Sequence, residues 1–430
     1  MKFNKWTLGL AAVGVVSLTS AARADETKIS QLDTALSNTT ISGYVDVSAQ
    51  FTPQSGATGS TFTPATPATP TTPAIPASTT VNSNTGKAPN YYYGNAANSI
   101  NLNVVDIAID KPMDESPWAS GYHVEFFVGP VANAMGLNND IRQAYITLRT
   151  PVGNGIDWKV GTFDTIVGYE STTSGNNPNY SHSYGYNMEP TTHTGILGNY
   201  KATDWLSAQF GVADESYAGS GLYNAASTSG LYHPTFMWGP TLTAPDSFGW
   251  AKGATLSAAT IITGGNTSNN GGGINGSYEG SGGKTIYVGL TLPTPIAALT
   301  TGASFDYLSA NDADAHAWDV AGYSSYKFND KLSLNLRAEY YDGAPSQPGA
   351  GTATPANFFY TGNPPYGTAA NGYQEAQELT ATIQYALWAN VLTRVEVRWD
   401  HVNHGNGYTT PGGSNEQNAF LLAAQAIYTF

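Results

Sequence analysis

Arg337 and Glu339 stand two residues apart, and Arg394, Glu396, Arg398 and Asp400 occupy alternate positions of a second stretch. Glu378 opens a third, followed at the same spacing by Thr380, Thr382 and Gln384. In an extended strand, side chains two residues apart project to one face. The positions between are apolar: Leu334, Leu336 and Ala338 in the first stretch, Val395, Val397 and Trp399 in the second. The chemistry open to such a set is electrostatic rather than covalent. Facing water, these three cations and four anions would sort small solutes by field and size. Facing one another, they would form a cross-strand ladder of ion pairs.

Other constellations fall short. Residues 280–285 read GSGGKT, like the end of a phosphate-binding loop, but that loop needs a glycine where Tyr278 stands. Ser181 and Ser183 flank His182, yet adjacent residues of an extended chain point to opposite faces, so no Ser–His pair forms. His401 with His404, and Asp312 with Asp314 and His316, lack a further ligand for a metal. No cofactor and no enzymatic activity are expected.

Strands that are polar on one face and apolar on the other require hydrocarbon on one side only. Residues 417–430 read QNAFLLAAQAIYTF. Phe420, Leu422, Ala424, Ala426, Tyr428 and Phe430 share a face that is wholly apolar, with aromatic residues near both ends. Leu421, Ala423, Gln425, Ile427 and Thr429 share the other. The first face matches a lipid-facing strand, with its apolar band between aromatic girdles. On a soluble sheet it would be an aggregating edge. About sixteen strands of this kind run from Thr40 to Phe430. Those near 232–243 and 252–263 are the weakest, which leaves fourteen and eighteen as alternatives. Connections after odd-numbered strands are mostly long and those after even-numbered strands mostly short. An all-β, antiparallel, up-and-down transmembrane β-barrel with external loops, periplasmic turns and periplasmic termini has this alternation. With about sixteen strands it is wide enough for a channel.

Composition agrees with that class. Charged residues make up 11% of the 430, aromatic residues 12%, and there is no cysteine. The charged share is far below the usual ~25%. Zero cysteine suits an exported chain. Lys2 and Lys5, the apolar run 8–18 and Ala22-Arg23-Ala24 form a signal peptide over 1–24, cleaved before Asp25. Loss of Lys2, Lys5 and Arg23 takes the formal net charge from −14 to −17, which argues against a nucleic-acid partner. No later run approaches the ~20 apolar residues of a membrane helix, so 25–430 is expected to be the barrel. Within it, 52–99 is an external loop. Its Pro/Thr centre, 63–78, is expected to be extended and polyproline-like, because proline lacks the N–H that a ladder needs.

Four blocks are distinctive: QAYITLR (143–149), KVGTFDTIVGYE (159–170), GNNPNYSHSYGY (175–186) and EPTTHTG (189–195). With them the chain resembles the OmpL-like beta-barrel porin family. The resemblance spans most of residues 25–430 and implies an outer-membrane barrel that forms a pore. It implies no catalytic residues. Passive diffusion of small hydrophilic solutes or ions is then the expected function, with Arg337, Glu339, Glu378, Arg394, Glu396, Arg398 and Asp400 lining the pore. The connection 164–190, about 27 residues, is too long for a simple turn. It is expected to fold inward as a constriction, with Glu170, Asn177, Tyr180 and His182 facing the inner wall. The alternative seat is outward, against neighbouring loops or a second subunit of a homo-oligomer. A closing strand that ends in Phe430 looks like the signal read by the barrel-assembly machinery of Gram-negative outer membranes. The alternative function is a surface-display or adhesion barrel acting through the Pro/Thr segment and the loops 264–283 and 343–372.

Overall fold

The structure, a computed structural model, describes residues 38–52, 60–63, 78–81, 98–135, 137, 140–214, 234–263, 283–310, 316–343, 374–404, 408–409 and 415–430. Sixteen of its strands close one antiparallel barrel in which every strand pairs with the next and the last with the first. Numbered along the chain, they are β1 (Thr40–Phe51), β2 (Ser99–Lys111), β3 (Ser120–Val128), β4 (Ile141–Thr150), β5 (Ile156–Asp164), β6 (Thr192–Lys201), β7 (Leu206–Ala213) and β8 (Thr235–Thr243). The circuit continues with β9 (Thr255–Thr263), β10 (Gly283–Pro293), β11 (Leu299–Ala310), β12 (His316–Lys327), β13 (Leu332–Gly343), β14 (Gln374–Trp388), β15 (Val391–His404) and β16 (Asn418–Thr429). The strand count expected from periodicity is the one observed.

Outside the barrel lies an unbroken apolar surface. Leu336 on β13, Leu379 and Ile383 on β14, Val395 and Val397 on β15 and Leu422 on β16 are all exposed. Trp205, Trp250, Tyr326, Phe328, Trp388 and Tyr428 ring the end that carries the short turns. Such a surface has no stable home in water and matches a bilayer. Closure also satisfies every strand edge, which hydrocarbon requires. β16 runs between β15, where Val395 faces Ala424, and β1, where Val47 faces Ala426. Phe430 completes the seam: its N–H donates to Gly43 O at 3.0 Å, and Gly43 N–H donates to Phe430 O at 3.1 Å.

Turn chemistry moves some strand ends from where periodicity puts them. Lys331 belongs to a turn rather than to β13, because Asn329 Oδ1 accepts from Lys331 N and Leu332 N at 2.9 and 3.0 Å. β9 starts at Thr255 rather than Lys252, since Gly253 takes a positive φ of 79° in the turn before it. Between β3 and β4 lies a short helix, α1 (Pro130–Ala134), with proline at its favoured first position. A small hairpin pairs Ser60–Thr63 with Ser78–Val81, so strand borders the Pro/Thr segment on both sides. The centre of that segment, the signal peptide and most of the loops 264–283 and 343–372 lie outside the described residues.

The interior is not uniformly polar. Val131, Ala132, Met135 and Leu137 pack against Tyr44, Val104, Phe127, Leu421, Ala423 and Ile427 from the inner faces of β1, β2, β3 and β16. The inward-facing Leu421 and Ile427, which have no place on a wet wall, thus have an apolar partner inside the barrel.

Candidate functional site

The connection from β5 to β6 enters the barrel and is held there by the charged wall. Each of the seven charged residues singled out in the sequence faces inward, and each is at most 5% exposed. They do not border open solvent. They bind the loop. The physical reason is that a buried loop brings backbone N–H and C=O groups with it, and each needs a partner.

The carboxylates serve the loop's donors. Glu396 accepts from Tyr180 N at 2.6 Å and Ser181 N at 2.9 Å, and from Thr382 Oγ1 at 2.6 Å. Glu339 accepts from Tyr184 N at 3.0 Å, at the start of a second short helix, α2 (Tyr184–Met188), that is capped by Ser183. Asp400 accepts from Tyr184 Oη at 2.6 Å. The arginines serve the loop's acceptors. Arg394 donates to Ser174 O at 2.9 Å and to Asn177 O. Arg398 donates to His182 O at 2.6 Å, pairs with Asp400 at 2.7 Å and lies 5.2 Å over the Tyr184 ring. Arg337 donates to Ser181 O at 2.7 Å and binds Glu378 at 2.8 Å. Glu378 joins the two guanidinium groups, with Arg398 3.2 Å from its other oxygen. Such charge-assisted bonds are the strong ones.

The four loop residues singled out in the sequence behave differently from one another. Glu170 reaches the wall, 2.7 Å from Arg337 Nη1. Burial works against its charge, but Arg337 and His182 outweigh it and hold the carboxyl down at about 2. Tyr180 reaches β1, where its hydroxyl lies 3.0 Å from Ser48 Oγ and donates to Gln50 Oε1 at 3.2 Å. His182 meets the wall through its carbonyl, which accepts from Arg337 and Arg398. Its ring stacks 3.8 Å from that of Tyr186, and Nδ1 lies 3.1 Å from Glu170. The Asn177 side chain, expected to face the wall, turns back into the loop and bridges Ser171 N and Ser171 O at 2.7 and 2.6 Å. It closes the loop on itself, which the long spacing of a sequence does not reveal. Glu189, at the far end of the loop, is buried; burial first, and then Asp306 beside it, raise its carboxyl well above the usual range.

Anchors beyond the seven charged residues also hold the loop, among them Thr382, which the spacing places on the inner face. Asn335 donates to Pro178 O at 2.8 Å, and Thr382 accepts from Asn179 at 2.7 Å. Arg142 clamps the start of the loop between Glu125 at 2.7 Å and Asp164. Asn335 and Arg142 carried a usable signal: polar residues in the inward phase of their strands. His401 Nδ1 pairs with Asn418 Oδ1 at 2.9 Å, and Asp312 and Asp314 lie outside the described residues. Among the described residues no group of His, Asp and Glu is arranged for a metal ion.

The seated loop leaves a cavity of about 500 Å³ beside it, lined from β9 to β14, toward the short-turn end. Its wall carries Ser257, Thr291, Ser325, Asn335 and Gln384, and the loop contributes Tyr169. Tyr169 stacks on Tyr323 with ring centres 4.2 Å apart, and its hydroxyl accepts from Thr291 Oγ1 at 3.3 Å. Gly302 makes room for it: a Cβ there would lie 1.8 Å from the Tyr169 hydroxyl.

Residues 38–430 match a family model described as "Putative beta-barrel porin-2, OmpL-like". Among solved structures, the chain is similar to an anion-selective porin from Comamonas acidovorans, at 10% identity and a TM-score of 0.52, covering 91% of this chain and 99% of that one. It is similar to the outer membrane channel DcaP of Acinetobacter baumannii, at 12% identity and a TM-score of 0.51, covering 91% and 97%. It is also similar to OmpT of Vibrio cholerae in its trimer form, at 11% identity and a TM-score of 0.51, covering 91% and 99%. At these identities the likeness concerns the fold. No curated protein matches the chain.

Proposed function

The chain belongs to the OmpL-like beta-barrel porin-2 family, and from that premise we propose that its barrel lets small hydrophilic solutes diffuse passively across the outer membrane. The observation that carries this is the seating of the loop. Residues 164–190 occupy the charged side of the interior and leave a cavity against β9 to β14. The loop is then a constriction fixed by the wall, and the wall's charges set its position rather than meeting the solute. Size and hydrogen bonding along the remaining path sort what passes.

Lipid covers the apolar outer surface. The barrel-assembly machinery reads the closing strand through Phe430. Self-association through the lipid-facing surface leaves the lumen of each barrel separate.

Purified protein reconstituted in a planar bilayer gives stepwise conductance increments. Insertion without current at any voltage would overturn the reading. Removing residues 63–78 leaves the conductance intact; loss of cell or surface binding with conductance absent throughout would point to a display barrel instead.

A further inference from the structure

We propose that the cavity beside the loop is a binding vestibule for neutral polyhydroxylated solutes, that is, mono- and disaccharides or polyols. The inference rests on the porin reading above and adds the solute class to it.

The first observation is a division of the interior. The seven wall charges and Glu170 are all engaged with the loop or with one another. Of the described side chains lining the cavity, only Lys327 is charged, and it ends β12 at the short-turn rim. An anion passing through would meet one lysine, and a cation would meet no carboxylate. The field that separates ions in a charged constriction is absent from this wall.

The second observation is what replaces the charges. Ser257, Thr291, Ser325 and the amides of Asn335 and Gln384 all face the cavity. Hydroxyls and amides each donate and accept. A solute that does both at closely spaced points, as a ring of hydroxyl groups does, can exchange its water contacts for these one by one. Each also has a protein partner: Ser325 Oγ donates to Asn335 Oδ1, Asn335 to Pro178 O and Thr291 to the Tyr169 hydroxyl, and Gln384 Oε1 accepts from Arg394 Nε, so a solute uses the donor and acceptor capacity that remains.

The third observation is aromatic. Tyr169 and Tyr287 line the same space, with Tyr323 stacked on Tyr169. Phenol rings offer an apolar face and a polar tip together. A saccharide ring has matching parts, C–H groups on its faces and hydroxyls around its edge. Glycines are placed to let the phenols lie along the wall: besides Gly302 under Tyr169, a Cβ at Gly289 would sit 1.9 Å from the Tyr287 hydroxyl. The volume of about 500 Å³ falls within the ~300–1,000 Å³ of small-molecule sites.

The test uses the full chain in planar bilayers and in liposomes. A neutral disaccharide added to the bath should reduce the ion current in a saturable manner. In swelling assays a neutral hexose should enter faster than a sugar acid or an amino sugar of similar size. Tyr169→Ala and Asn335→Ala should each weaken the disaccharide block about tenfold, the effect of losing one good contact. The lipid-facing Leu336→Ala should leave the block as it was. Channels that conduct ions but show no block, or pass charged sugars as readily as neutral ones, would overturn the solute class while the porin reading stands. Block that survives both substitutions would overturn the placement. Absence of both conductance and swelling would overturn the porin reading and this inference with it.

Discussion

Glu396 on β15 receives the backbone N–H groups of both Tyr180 and Ser181, at 2.6 and 2.9 Å, across more than 200 residues of chain. One buried carboxylate thus caps two consecutive donors of a loop that has no secondary structure of its own at that point. Replacing Glu396 by Ala strands both donors. Each buried donor left without a partner costs about 1–3 kcal/mol, and two together are enough to release a loop held locally. The expected outcome is larger and noisier single-channel conductance, with new protease cleavage between residues 171 and 183. The barrel itself should keep its heat-modifiable migration on gels. Unchanged conductance and full protection would show that the loop is held elsewhere.

On a wall open to solvent, Arg394→Ala and Arg398→Ala would raise cation preference by thinning a charged filter. Their partners in the structure are loop carbonyls, Gln384, Gln425, Glu378 and Asp400. Both variants should therefore act through loop position. Conductance rises, and reversal potentials under a salt gradient shift little. A strong cation shift at unchanged conductance would restore the filter reading.

Two loop carboxylates give opposite pH signatures. Glu170, held at about 2 against a usual 4.5, contributes its full stabilisation above 4.5 and loses it as pH falls from there toward 2. Glu189 is raised above 4.5. Above that value the unfolded chain has lost a proton that the folded protein keeps, so stability falls as pH rises. Glu189→Gln keeps the shape and removes the titration. Its unfolding midpoint in detergent should exceed that of the wild type at pH 8 and approach it at pH 4. Parallel pH curves for the two proteins would refute the assignment.

Gly302→Val places a side chain where the Tyr169 hydroxyl now lies. The tightest contact is with the ring, at 1.8 Å, against 3.1 Å to the Leu290 carbonyl, so most of the strain falls on the ring. Tyr169 should leave Tyr323, which a change in near-ultraviolet circular dichroism reports, and any saccharide block should weaken with it. An unaltered spectrum would mean that the ring has room to shift without unstacking.

The barrel was legible because hydrocarbon imposes one rule on every strand. Leu336, Val395 and Leu422 must point out, so the inward phase of Arg337, Glu396 and Gln425 follows by alternation. Turn residues were legible where Asn329 or the PVGNG stretch (151–155) marks a local stop. The loop partners of the inward residues on β13 to β15 were not legible, because they lie 150 or more residues away. That Arg394 meets Ser174 O, or that Asn177 bends back on Ser171, depends on the path of the loop. Backbone atoms, which make most of these contacts, leave no trace in residue type. One clue was available and went unread. Leu421 and Ile427 are apolar on the inner face, and only an apolar insert such as α1 and the residues after it could account for them.

The loop's anchors also set an order of events. Residues 170–184 are made early, but Arg337, Glu339, Glu378, Arg394, Glu396, Arg398 and Asp400 emerge only with the final third of the polypeptide. Contacts of such wide sequence separation form late. The constriction therefore stays unlatched until β13 to β15 have joined the sheet. The passage acquires its final width only once that third of the cylinder is in place.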